Sequence, residues 1–243
     1  MKQKLILTFF TNSFFLLLLF WVPVNAQNDD AAKATKDSIK IKEKYGLRVG
    51  GDVVKLTRSF FDDAYSGFEV SADYRLKKRL YLAGELGFDE KNNTTDYLDV
   101  TTTGSYIKAG IDYNLYQNWL DMDNMIYSGF RIGASTFNQK LNSYTVYTTD
   151  QYWSPQYSST DFQEFKGLTA IWGELIIGIK AELFNNLYLG LNAQLKILVS
   201  ETEPDNFENL YIPGFNKTFD TTGIGVGFGY TLSYRIPLYK KDK

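Results

Sequence analysis

From Leu187 onward the chain alternates. Leu187, Leu189, Leu191, Ala193, Leu195, Ile197 and Val199 are apolar, and between them stand Tyr188, Gly190, Asn192, Gln194, Lys196 and Leu198. A period of two places successive side chains on opposite faces, so this is a strand with one apolar and one polar face. The same rhythm predicts seven further strands. They run over Tyr45–Arg58, Gly67–Leu76, Leu80–Asp89, Thr103–Leu115, Met125–Asn138, Leu168–Leu183 and Thr221–Pro237. In the last of these, Ile224, Val226, Phe228, Tyr230, Leu232 and Tyr234 oppose Gly223, Gly225, Gly227, Gly229, Thr231, Ser233 and Arg235.

The connections sort by length. "KKR", "FNN" and "YQNWLDMDN" are short, whereas Ser59–Ser66, Glu90–Thr102, Gln139–Gly167 and Glu201–Asp220 are long. Short turns at one end and long loops at the other, joined by strands of roughly ten residues, are the pattern of an outer-membrane barrel. The expected fold is therefore all-β, an antiparallel up-and-down transmembrane β-barrel of eight strands. A further hairpin inside Gln139–Gly167 would make ten. In such a barrel the apolar faces meet outer-membrane lipid and the polar faces line the lumen. Tyr45, Tyr74, Tyr113 and Tyr234 fall near strand ends on the apolar face, where interfacial girdles belong.

The polar faces carry eight acids, Asp52, Glu69, Asp73, Glu85, Asp89, Asp112, Glu174 and Glu182. Against them stand seven bases, Arg48, Arg75, Lys108, Arg131, Lys180, Lys196 and Arg235. An eight-stranded barrel is just wide enough for side chains to fill it, and buried charges must be paired. A near-equal census makes that pairing possible.

The N-terminus changes the picture from fold to address. Lys2 and Lys4 precede an apolar run from Leu5 to Val22, and Val24 and Ala26 set up a cut before Gln27. That is the layout of an export signal, with cleavage expected between Ala26 and Gln27. Residues 1–26 are thus read as signal peptide, 27–44 as a flexible periplasmic lead-in, 45–239 as the barrel and 240–243 as a basic tail. The mature chain holds 24 basic and 28 acidic residues, a net charge of −4, which gives no reason to expect nucleic-acid binding.

The mature chain resembles small Gram-negative outer-membrane β-barrel proteins, most closely an uncharacterised family of them. The segments that carry the likeness are "KEKYGLRVGGD", "SYIKAGIDYN", "LFNNLYLGL", "NLYIPGFN" and the final "YRIPLYK". Gly229, Leu232 and Tyr234 match the last-strand signal of such barrels. The resemblance thereby implies the barrel assembly machinery as a partner during insertion. The chain departs from the usual pattern by continuing past Tyr239 with "KKDK".

Candidate chemistry is sparse. The 243 residues include no Cys and no His, so disulfides, thiolate metal sites and His-based acid–base mechanisms are closed. The glycines of "GIGVGFG" recur every second residue with no Lys-Ser/Thr and no helix after them, which reads as a glycine-lined strand face and not a phosphate loop. No catalytic residue, cofactor or metal site is expected. The strongest lead is Gln139–Gly167, where Tyr144, Tyr147, Tyr152, Trp153 and Tyr157 sit among Ser, Thr and Asn. Rigid aromatics among small hydroxyl residues suit recognition of an extracellular ligand. The expected function is non-enzymatic, structural or surface-binding through the loops. A narrow pore, or an enzyme working without His, are the alternatives.

Overall fold

The computed structural model describes residues 42–116, 123–146, 158–160, 162–205, 207–216 and 222–242. The signal segment with Ala26 and Gln27, the lead-in up to residue 41, and Tyr147, Tyr152, Trp153 and Tyr157 lie outside the described residues. Among those described, eight long strands are β1 (Lys42–Asp52), β2 (Tyr65–Arg75), β3 (Leu80–Thr94), β4 (Leu98–Asn114), β5 (Met125–Thr145), β7 (Gln163–Phe184), β8 (Leu187–Glu201) and β9 (Ile224–Asp242). A two-residue strand β6 (Ser158–Ser159) pairs only with Tyr144 and Thr145 of β5. Each long strand pairs antiparallel with its neighbours, and β1 pairs with β9, so the sheet closes into a ring of eight. Closure leaves no free sheet edge except where a strand stops short.

The alternation is inverted relative to a water-soluble core. Val199 is 73% exposed, Phe228 71% and Ile177 68%, while Lys108, Lys196 and Arg131 are each 2% exposed and Glu174 and Asp112 are fully buried. The apolar stripes point out and the charges point in.

Four expectations need correction. The first strand does not run to Arg58; it stops at Asp52, and Val53–Phe61 form the helix α1. Asp52 is the N-cap, with its carboxylate accepting from the Lys55 amide at 2.9 Å. Glu90–Thr102 is not a long loop, because β3 and β4 stay paired up to Thr94 and Asp99 and turn through Thr95–Tyr97. Beyond the apolar belt both strand faces are wet, so the alternation that marks a strand fades while its ladder continues. The same reason lengthens β5 and β7 into Gln139–Gly167, which supplies no extra ring strands among the described residues. The barrel also reaches past 45–239: β1 takes in Lys42–Lys44, and the basic tail up to Asp242 belongs to β9. Finally, Tyr45 is buried and not part of an exposed girdle. The β1–β9 register shifts beside it, and its ring stacks on Tyr239 with centroids 5.1 Å apart under the Arg75 guanidinium. Tyr113 and Tyr234 are exposed, as expected of girdle residues.

The interior is packed tightly enough to require glycine. A Cβ on Gly133 would run into the indole ring of fully buried Trp172. Gly133→Val should therefore destabilise the fold by about 1–3 kcal/mol through overpacking. Urea midpoints of the two proteins refolded into vesicles test this; an unchanged midpoint would mean the indole is not seated there.

Candidate functional site

The lumen is filled by a charge network in two storeys, divided by the strand positions that supply each side chain. The lower storey lies at the end where β1 begins and β9 stops, with the turns after β2, β4 and β7. There Arg48 Nε meets Asp73 at 2.7 Å, and Lys180 Nζ reaches the other oxygen of Asp73 at 2.7 Å. The Arg48 guanidinium also lies over the rings of Tyr81 (4.9 Å) and Tyr188 (5.1 Å), a desolvated cation–π arrangement. Arg235 pairs with Glu182 at 3.3 Å and with Asp123. Arg75 donates to the carbonyls of Lys78 and Lys44, which ties it to the barrel rim.

The middle of the barrel centres on Lys108. Its ammonium stands 3.0 Å from Glu85, 3.5 Å from Glu174 and 3.7 Å from Glu69. Arg131 pairs with Asp112 at 2.7 Å and approaches Glu85 at 3.8 Å, and Lys196 stands 3.7 Å from Glu174. All twelve lumen charges singled out in the sequence, Arg48, Glu69, Asp73, Arg75, Glu85, Lys108, Asp112, Arg131, Glu174, Lys180, Lys196 and Arg235, therefore sit inside the ring and make polar or ionic contacts. A cavity of about 20 Å³ lies beside Arg48, Asp73, Glu85, Tyr127, Arg131 and Lys180, room for roughly one water.

The opposite end, the mouth, is closed by a plug that periodicity does not reveal. In the β8–β9 connection, Tyr211-Ile212-Pro213-Gly214-Phe215 folds into a tight turn with Phe215 N–H on the Ile212 carbonyl at 3.0 Å. Gly214 adopts φ +78°, and Pro-Gly at the two central positions is the type II combination. Ile212 and Phe215 are buried against Tyr106, Phe137, Leu168, Ala170 and Trp172, with the Phe215 and Trp172 rings edge-on at 5.8 Å. Gly214 is held at both polar groups: its N–H donates to Asp89 at 3.0 Å, and its carbonyl accepts from Lys196 at 2.7 Å. Gln139 fastens the approach, donating to the Glu208 carbonyl at 2.9 Å and accepting from the Leu210 amide at 3.2 Å.

Asp89 is the hub of this closure. Besides Gly214 it accepts from the Tyr65 hydroxyl at 2.6 Å, the Tyr211 hydroxyl at 3.1 Å and Lys55 Nζ at 3.3 Å. Burial, and then the adjacent carboxylate, hold the Tyr211 phenol well above its ordinary pKa, so it remains a donor. Lys55 comes from α1 and bridges Asp89 to Glu69 at 3.4 Å, with the Tyr106 hydroxyl beside it. Tyr106 itself donates to Glu69 at 2.5 Å. Lys55, Tyr65, Tyr106, Tyr211 and Gly214 were not among the residues the sequence brought forward. The signals that could have found them are the Pro213-Gly214 pair, a turn combination, and Asp52 as a helix N-cap, neither of which the strand period reports. The lining glycines behave as expected: a Cβ would lie 2.9 Å from the Phe215 ring at Gly225, 2.8 Å from Gln194 at Gly227 and 2.6 Å from Asn192 at Gly229. Of the aromatic loop residues, Tyr144 lies at the outer end of β5, paired with Leu98 of β4 and Ser159 of β6.

These features define the class: an eight-stranded antiparallel β-barrel with an apolar outer surface and a filled, charged interior. The chain belongs to the family described as Domain of unknown function (DUF6048), whose profile matches residues 6–241. No curated protein matches it. Among solved structures it is similar to Ail, the attachment invasion locus protein of Yersinia pestis, at 9% identity and a TM-score of 0.40, covering 79% of this chain and 98% of that one.

Proposed function

We propose that the protein is a sealed, non-enzymatic barrel of the outer membrane, exported by residues 1–26 and acting as a structural or surface-binding element through its mouth loops. The observation that carries the address is the inversion of burial. Apolar side chains cover the outside of all eight long strands, far beyond the few hundred Å² of apolar patch a soluble monomer exposes. In a bilayer the same surface is the favourable one, and a closed ring satisfies every paired backbone group. On this reading both termini and the short turns are periplasmic, while α1, the β3–β4 hairpin and the two long connections face outward. Insertion by the barrel assembly machinery follows from the same reading. The aromatic segment around Tyr144, with Tyr147, Tyr152, Trp153 and Tyr157, is the surface assigned to an extracellular ligand.

The filled lumen supports the sealed reading over the pore. Planar-bilayer recordings of the purified full-length protein are expected to show no discrete conductance steps, and the protein is expected to fractionate with outer membranes. Reproducible steps would replace the sealed reading with the channel; recovery in the soluble periplasm would overturn the membrane address. Deleting Ser143–Asp161 should abolish binding of cells to immobilised host or glycan surfaces while leaving the barrel folded. Unchanged adhesion would remove the role assigned to that loop.

A further inference from the structure

The barrel wall has a notch. The last β1 pairs are Gly51 with Val70 of β2 and Asp52 with Thr231 of β9. Above them β2 continues from Glu69 up to Tyr65, and β9 continues through Tyr230 up to Ile224, with no strand between the two among the described residues. The helix α1 occupies that place, packed along β2 and touching β9. Side chains stand in for the missing ladder. Ser59 Oγ takes both polar groups of Gly67, accepting from its N–H at 2.7 Å and donating to its carbonyl at 2.9 Å. Asp52 accepts from the Tyr230 amide at 3.2 Å. Lys55 reaches inward to Asp89 and Glu69 and fastens the helix to the lumen network.

The other side of α1 is apolar and uncovered. Phe60 is 81% and Phe61 85% exposed, Val53, Val54 and Leu56 are each 40% or more exposed, and no α1 residue is buried. This face does not stand alone. It is flanked by outward-facing Phe68 on β2 and by Val226 and Phe228 on β9, so that helix and strands form one apolar surface. Whatever solvates the belt at Val226 and Phe228 must also meet α1. A helix satisfies its own backbone, which makes it one of the few segments able to replace a strand in that environment.

Resting on the outer-membrane reading above, we propose that α1 is a helical piece of the barrel wall embedded in lipid, with Phe60 and Phe61 among acyl chains of the outer leaflet. It is then a surface for membrane lipid and not a cap standing in water or a docking face for another protein. One consequence is a seam on the β9 side. In an antiparallel strand the residues whose side chains share a face also share a hydrogen-bonding edge, so Val226 and Phe228 point their amides the same way as Tyr230, toward α1.

The absence of cysteine makes the test clean. Single variants Phe60→Cys, Phe61→Cys, Phe228→Cys and Asp96→Cys of the full-length protein are labelled with bimane and reconstituted in phosphatidylcholine vesicles. Quenching by brominated acyl chains is compared with quenching by aqueous iodide. Labels at 60 and 61 should follow the label at 228, with several-fold stronger quenching by brominated lipid than at the turn residue 96, and weak quenching by iodide. If 60 and 61 are quenched by iodide like 96 while 228 stays with lipid, the inference is wrong and the barrel reading stands. Protection of 60 and 61 from both quenchers would also overturn it, in favour of a protein partner or a second copy. If 228 itself is reached by iodide and not by lipid, the outer-membrane reading fails and takes this one with it.

Discussion

Lys108→Met should lower the stability of the barrel by about 3–5 kcal/mol, the loss expected when one partner of a buried ion cluster is removed and its counter-charges stay behind. Lys108 is 2% exposed and stands within 4 Å of three carboxylates, but the three do not depend on it equally. Glu69 keeps Lys55 and the Tyr106 hydroxyl, and Glu174 keeps Lys196 and the Trp172 indole N–H at 2.7 Å. Among the described residues, Glu85 keeps only the Arg131 contact at 3.8 Å. The cost of the substitution should therefore be concentrated at Glu85. Neutralising that residue as well, in Lys108→Met/Glu85→Gln, should recover part of it, giving a coupling on the order of 0.5–3 kcal/mol between the two positions. Urea titrations of protein refolded in vesicles, read by tryptophan fluorescence and by the electrophoretic shift of the folded barrel, give both numbers. Additive effects of the two substitutions would mean that Lys108 and Glu85 do not share a site in the folded protein.

The lumen cluster was legible because charge on alternate residues of a strand has few places to go. Glu85 and Lys108 lie on different strands, and each follows the period of its own; their pairing across the β3–β4 ladder then follows from the register. Nothing comparable marks α1. Val49, Gly51 and Val53 continue the strand period into the helix, so "VVKLTRSFF" reads as more strand. The helical signal was present in the Asp52 cap and the spacing of Val53, Leu56 and Phe60, but it is two turns long and follows a strand without a break. The hairpin over Glu90–Thr102 failed for a different reason. Once both strand faces are wet, Asn and Thr replace the alternation and only the backbone ladder remains, which no side-chain pattern reports. The plug is harder still. Tyr211, Ile212 and Phe215 come from an irregular segment whose burial depends on Trp172, Tyr106 and Asp89, residues brought together only by closing the ring.

Strand and plug differ in how they resist opening. The ring is held by eight strand-to-strand ladders, so separating a pair breaks several hydrogen bonds together. The plug is a short turn fixed at Asp89, Lys196 and Gln139 and by the packing of two apolar side chains. Local opening at the mouth is the low-energy fluctuation of such a structure, while the wall stays intact.

That difference makes Asp89→Ala the most informative change at the mouth. Asp89 is fully buried and accepts from four donors, the Tyr65 and Tyr211 hydroxyls, the Gly214 amide and Lys55. Alanine leaves all four in place and removes their acceptor. Lys55 retains Glu69 and the Tyr211 hydroxyl retains Asn216 at 3.4 Å, but Gly214 N–H and the Tyr65 phenol lose their acceptor in a dry site, and each unsatisfied donor costs about 1–3 kcal/mol. The global loss should again reach about 3–5 kcal/mol. Because two of the four donors belong to the plug, a large share of that loss should fall on its closure and not on the ring. A local loss of about 1–3 kcal/mol corresponds to an open population larger by roughly tenfold to a hundredfold. Chymotrypsin added to reconstituted vesicles should then cleave beside Tyr211 or Phe215 faster by that factor, while the eight-stranded ring keeps its heat-resistant electrophoretic mobility. Asp89→Asn, which preserves shape and one acceptor oxygen, should fall between the two. If Asp89→Ala lowers the urea midpoint but cleavage at the plug stays at the parental rate, Asp89 anchors β3 within the ring and does not hold the mouth closed.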